Sequence, residues 1–336
     1  MNIKSENLLL LDKTKKKLLK EEQKIKKIKK KKKNEKNEFN VIGTITELDK
    51  KITRCSKTFF TQMKYRLWFE FLNFYRNPNI LFTIIILFFL ICSLIGFLFR
   101  DNELTFESAQ NKVGLTVFLT LLLAFQSLFS IPTFFNEKKV YIYQIQLSLY
   151  YKSSYFYSKI IFEAFITKIL PIFFLLPCYF IARMTISFSN IFCFLVIMIC
   201  FNISLGLNNF IFCCIFQTPE LTIVMMVIMH LFGMLTCGAF LNINSVPIQL
   251  RFIRFFSYWN YTFKALMYNE INDKYFFVPK GKIPGFSGKL PGSFLLNFFG
   301  VMPENFQNYI KFLILFVIVL FIFAKFSLKF FVSTKN

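Results

Sequence analysis

From Ile80 onward the chain alternates long apolar runs with short polar segments. The runs fall at Ile80–Phe99, Val113–Phe135, Ile160–Ala182, Asn190–Phe216, Leu221–Leu241 and Tyr309–Phe331. Each suits a hydrocarbon core of about 30 Å, which roughly 20 helical residues cross. Backbone groups surrounded by lipid must be satisfied within their own segment, so the runs are predicted to be six transmembrane helices. The alternation that marks a membrane barrel strand is absent. An all-α integral membrane protein follows.

The polar stretches divide the remainder. Residues 1–60 read as a basic, disordered cytoplasmic segment, and 61–79 as an amphipathic helix ahead of a transmembrane domain at 80–336. In that helix Leu67, Trp68, Phe71, Leu72 and Tyr75 share one face, while Arg66, Glu70, Asn73 and Arg76 lie mainly opposite. It is suited to lying along the inner membrane surface, and Pro78 ends it. After the fifth run a large outer segment spans about 242–308. Val246–Tyr268 has the apolar spacing of interfacial or re-entrant helices, and the Gly/Pro-rich stretch Pro279–Ser293 reads as an irregular loop.

Charge gives the spans a direction. The net charge of +23 is concentrated ahead of the first run, chiefly in Lys13–Lys36. Such a tract stays solvated; Coulomb attraction to nucleic acid or anionic lipid is the alternative reading. Because basic residues mark the cytoplasmic side, the N-terminus is placed inside. The acidic residues Asp101, Glu103 and Glu107 place the next loop outside, and Lys138, Lys139, Lys152 and Lys159 place the following one inside. Continuing the alternation makes both termini cytoplasmic in a multi-pass protein of the plasma membrane or an internal one.

Candidate chemistry narrows the function by what is missing. Cys92, Cys178, Cys193, Cys200, Cys213, Cys214 and Cys237 lie in apolar runs and Cys55 in the basic segment, so no disulfide framework or metal site is expected. The lone histidine, His230, reads as a neutral packed imidazole. No Gly-x-x-x-x-Gly-Lys-Ser/Thr loop occurs, and Gly285-Phe-Ser-Gly-Lys289 has the wrong spacing. Lys159 and Glu163, one turn apart at the start of the third run, form an expected interfacial ion pair with Lys168 snorkelling beyond it. Pro171 and Pro177 are expected to kink that run.

The segment between the second and third runs is the most specific part of the sequence. Phe134-Phe-Asn-Glu137-Lys-Lys-Val-Tyr-Ile-Tyr-Gln144 leads to Tyr150-Tyr-Lys-Ser-Ser-Tyr-Phe156 and then to Lys159 and Glu163. This resembles the transmembrane half of ABC transporters of the ABCG (White) family. Gly238-Ala-Phe-Leu-Asn242, Phe255-Phe-Ser-Tyr258 and Ala265-Leu-Met-Tyr-Asn-Glu270 resemble the family's pattern around the end of the fifth span and the helices after it. Arg66…Arg76-Asn-Pro78 resembles its connecting helix.

The resemblance implies six spans of ABC-2 (type V exporter-like) architecture, with a connecting helix and re-entrant helices after span five. It implies a homo- or heterodimer that exports lipids, sterols or amphipathic xenobiotics. ATP and Mg would be held by a nucleotide-binding domain or a full-length half-transporter partner, with no cofactor on this chain and no nucleic acid. A motor-coupling loop would comprise Glu137, Lys138, Lys139, Gln144, Tyr150, Tyr151, Ser154 and Tyr155; Gln144 departs from the glutamate common there. A substrate cavity would be walled by Leu122, Phe125, Leu231 and Met234, under a gate of Ala239 and Phe240. A non-transporting fragment or structural membrane protein is the alternative, followed by a six-span channel or carrier.

Overall fold

The computed structural model describes residues 58–76, 78–100, 104–146, 151–240, 252, 254–283, 286–302 and 305–333. The basic segment through residue 57, Tyr150, and residues 246–251 of the expected re-entrant stretch lie outside the described residues.

Helix α1 (Phe59–Tyr75) is followed by α2 (Pro78–Leu98). Helix α3 (Phe106–Leu128) starts where the Thr105 side chain accepts the Ser108 N–H at 3.2 Å, with Glu107 in the first turn. Residues 106–112, expected as loop, are therefore already helical. After a turn at Phe129 the chain continues as α4 (Ser130–Gln146).

The third run is irregular. Helix α5 (Lys152–Ile160) passes into a π-helical turn, Ile161–Ile166, and then α6 (Thr167–Phe173) and α7 (Leu175–Ile181). The break at Phe174 follows Pro171, whose ring nitrogen has no N–H to give the preceding turn; Pro177 sits in the first turn of α7, where proline is tolerated.

Helix α8 (Phe188–Ile215) is central, with every residue from Phe201 to Phe210 buried. Helix α9 (Pro219–Leu235) opens on Pro219 and Glu220, which suits a first turn. It ends earlier than the expected Leu241, because the chain turns through Thr236–Phe240 with Gly238 at φ 96°, a conformation other residues rarely adopt. Helix α10 is Tyr258–Ile271 and α12 is Phe306–Ser333.

Among the described residues, four helical stretches are long and apolar enough to cross a membrane: Phe106–Lys138, Ser153–Ile181, Phe188–Ile215 and Phe306–Ser327. The first and fifth of the six expected spans correspond to the shorter apolar stretches Ile86–Leu98 and Pro219–Leu235. The expectation of an irregular loop at Pro279–Ser293 is corrected. Strands β1 (Tyr275–Ile283) and β2 (Phe286–Pro291) form an antiparallel hairpin, with Tyr275 opposite Pro291 and Val278 opposite Gly288, leading into the short helix α11 (Gly292–Phe298). Phe276 and Val278 are buried while Tyr275 and Phe277 are exposed, a period of two that the abundance of Gly and Pro masked.

Two apolar cores result. One gathers α3, α7, the first half of α8, α10 and α11 around Leu119, Phe201 and Met267. The other joins α4, α5, the second half of α8 and α12 around Phe134, Phe156, Phe210 and Ala324. At Gly233 the indole of Trp259 comes so close that a Cβ would overlap it, so glycine there lets α9 approach α10.

Candidate functional site

At one end of the bundle, α1, α4 and α5 converge on the ammonium of Lys159, which has no solvent exposure. It donates to Glu137 on α4 and lies 2.9 Å from Glu163 and 3.6 Å from Glu70 on α1. Arg66 caps the group, 2.9 Å from Glu70, and donates to Gln144 Oε1 at 3.3 Å. A buried ammonium is costly unless its charge is matched and its donors are used; at Lys159 three carboxylates meet both conditions. The reading of Lys159–Glu163 as an interfacial pair with snorkelling lysine is corrected: Lys159 is sealed inside, and Lys168 is buried with its ammonium 3.5 Å from the Ser127 carbonyl.

Aromatic and backbone contacts brace the ions. Tyr155 is buried, stacked on Tyr141 with centroids 3.7 Å apart, and lies beneath the Arg66 guanidinium at 5.0 Å. The Tyr151 N–H donates to Gln62 Oε1 at 3.1 Å. Ser154 is fully buried, and Lys138 reaches the Phe135 ring at 5.3 Å. Lys139 is on α4 but its side chain is not among those described. Helix α1 thus turns its polar stripe, Gln62, Arg66 and Glu70, into the protein, and leaves Trp68, Phe71 and Tyr75 exposed.

The expected cavity and gate residues separate into two groups. Met234, Ala239 and Phe240 line a cavity of about 780 Å³ with Phe106, Gln110 and Phe118 of the α3 region. Leu122, Phe125 and Leu231 are not among its walls; Phe125 and Leu231 are exposed on α3 and α9. Ala239 and Phe240 stand in the turn after α9, at the cavity's edge.

Beside this cavity a second polar node closes the bundle end. Glu270 accepts from Lys112 of α3, from Lys274 at 2.5 Å, and from the Thr185 N–H at 2.9 Å, tying α3, α10 and the α7–α8 connection together. Burial pushes the Lys274 ammonium down to about 8 against the pull of the Glu270 carboxylate. Among the described residues no cluster of metal-ligating side chains occurs.

The family model described as ABC-2 type transporter matches residues 61–271, from α1 to the end of α10. The chain belongs to the ABC-2 type transporter family. Its relatives include a probable ATP-dependent permease of Saccharomyces cerevisiae, 26% identical over 80% of this chain and 25% of that protein. The broad substrate specificity ATP-binding cassette transporter ABCG2 of Mus musculus is 26% identical over 68% of this chain and 34% of its own length. Protein white of Drosophila melanogaster is 27% identical over 64% and 32%. The chain therefore spans only about a quarter to a third of the length of these three relatives.

Within this ABC-2 membrane domain, the sequence placed Glu70 on the polar side of a surface helix and gave Gln62 no role, so both were missed as site residues. Their i, i+4, i+8 spacing with Arg66 was the available signal. Glu270 and Lys112 were overlooked as partners because 158 residues separate them.

Proposed function

We propose that this chain is the permease part of an ABCG-type exporter, working as a dimer with an ATP-binding domain held elsewhere and moving lipids, sterols or amphipathic xenobiotics. The carrying observation is the sealed ion cluster joining α1, α4 and α5 at Lys159. In this reading α4 docks on the ATP-binding domain, with Glu137, Lys138, Lys139, Gln144, Tyr150, Tyr151, Ser154 and Tyr155 forming the junction. Since Lys159 binds α4 and α1 to the foot of the third span, movement of α4 is transmitted to the membrane rather than absorbed locally. N- and C-termini then lie on the cytoplasmic side.

The aromatic and methionine-bearing cavity below Phe240 supports flat, apolar substrates, which such walls bind without strict geometry. Phe125 and Leu231, exposed on one chain, and the half-buried Leu122 become cavity wall when a second chain faces them. The test is reconstitution of the chain with an ATP-binding domain in proteoliposomes. ATP-dependent movement of an amphipathic dye is expected; an assembled complex that hydrolyses ATP and moves neither dye nor lipid would refute the reading.

A further inference from the structure

Helices α3 and α4 meet in a single turn at Phe129, whose N–H donates back to the Gln126 carbonyl at 3.3 Å. Carbonyls in the last turn of a helix depend on donors from outside it. The Ser127 carbonyl draws side chains from three elements. Asn209 Nδ2 of α8 lies at 2.7 Å, Ser130 Oγ of α4 at 2.7 Å and the Lys168 ammonium of α6 at 3.5 Å. The Ser127 hydroxyl donates to the Ala124 carbonyl and accepts from the same Asn209 amide at 3.1 Å. Ser127, Lys168 and Asn209 are all buried.

Chemistry fixes the direction of the Asn209 amide. Reversed, it would set its oxygen 2.7 Å from a carbonyl oxygen, with two acceptors facing each other, so the nitrogen must be the atom that meets Ser127. Asn202 stands about two turns earlier and so on the same face of α8, and its Nδ2 donates to the Lys168 carbonyl at 2.6 Å. The fourth span thus holds the backbone of the second and of the third with one asparagine each. Both asparagines lie in the stretch from Phe201 to Phe210 that is buried throughout. Beyond the joint, α4 runs about two turns from Ser130 to Glu137, its contact with Lys159.

We propose that Asn209 is a positioning residue for the coupling of α4 to the spans, an inference that rests on the export reading. It pins the α3–α4 joint to the fourth span, so that α4 swings about Ser127 instead of sliding along the bundle. A carbonyl accepts hydrogen bonds over a broad range of directions but a narrow range of distances. Asn209 therefore permits rotation at the joint while opposing translation, which converts a push on α4 into tilt. Ser130 supports the same pivot from the first turn of α4. Lys159 carries what α4 moves, and Asn209 fixes where α4 turns.

The proteoliposome assay with an ATP-binding domain tests it, reading rhodamine dye moved per ATP hydrolysed beside the melting midpoint of each variant. Asn209→Leu, similar in volume but without a donor, is expected to lower that ratio about tenfold. Ser130→Ala is expected to lower it about threefold, while Ser130→Thr keeps the hydroxyl and the wild-type ratio. A lower melting midpoint with an unchanged ratio in Asn209→Leu would overturn the proposal, leaving Asn209 a structural contact only. If Asn209→Leu does not assemble, the Ser130 pair decides, and equal ratios in Ser130→Ala and Ser130→Thr overturn it. A wild-type complex that hydrolyses ATP and moves no dye refutes the export reading and this inference with it. Normal wild-type export with no loss in the variants refutes this inference alone.

Discussion

The Lys159 ammonium on α5 lies 3.6 Å from the Glu70 carboxylate on α1, although α1 has the composition of a helix resting on a membrane surface. The ion pair makes α1 part of the bundle's polar interior. Replacing Lys159 by Met removes the shared cation and leaves Glu70, Glu137 and Glu163 with Arg66 alone. Breaking a buried cluster in this way costs on the order of 3–5 kcal/mol. Thermal unfolding of the purified variant is expected to show a markedly lower midpoint; a wild-type melting curve would refute the structural role.

Glu137→Lys turns an attractive contact into a repulsive one at the joint between α4 and α5. In a complex assembled with an ATP-binding domain, the variant is expected to hydrolyse ATP at a near-normal basal rate. Substrate-stimulated hydrolysis and transport are expected to fall together by an order of magnitude or more. Normal stimulation would remove α4 from the coupling path.

Phe240, 55% exposed at the edge of the cavity, is expected to tolerate substitution for folding but not for passage. Phe240→Asp places a charge on the proposed gate at the cavity lining and is expected to abolish export while leaving membrane insertion and yield unchanged. Efflux measured beside a surface-labelling assay separates the two effects, and undiminished efflux would rule out the gate assignment.

Lys274 supplies a pH test. Its ammonium is held down to about 8, below the ordinary value of about 10.4, so the unfolded chain binds more protons between those values. Stability contributed by this group therefore rises as pH increases from about 8 towards 10.4. Lys274→Met is expected to flatten that increment in the difference between the two melting-temperature profiles. Parallel profiles would show that Lys274 titrates normally.

Much of the fold was legible because lipid simplifies the code: apolar length alone located helices α3, α8 and α12. Boundaries were less legible where a local contact decided them. The Thr105 cap starts α3 early, and the Gly238 turn stops α9 short. The hairpin at β1 and β2 was hidden because turn-forming residues occupy strand positions once a partner strand is present. At the site, the segment from Phe134 to Glu163 announced itself as a motif, whereas its partners on α1 did not. Helical periodicity shows which residues share a face but not whether that face meets water or protein, and Gln62, Arg66 and Glu70 meet protein.

The π-helical turn at Ile161–Ile166 determines which way the third span's lysines point. Lys159 and Lys168 are nine residues apart, a separation that an unbroken α-helix turns through about two and a half revolutions, placing them on opposite sides. Yet both are buried in the bundle. The wider turn slows the winding between them and brings the second cation round to the side of the first. Phase, rather than composition, is what the turn supplies: the same residues wound as an unbroken α-helix would carry Lys168 away from the side of Lys159.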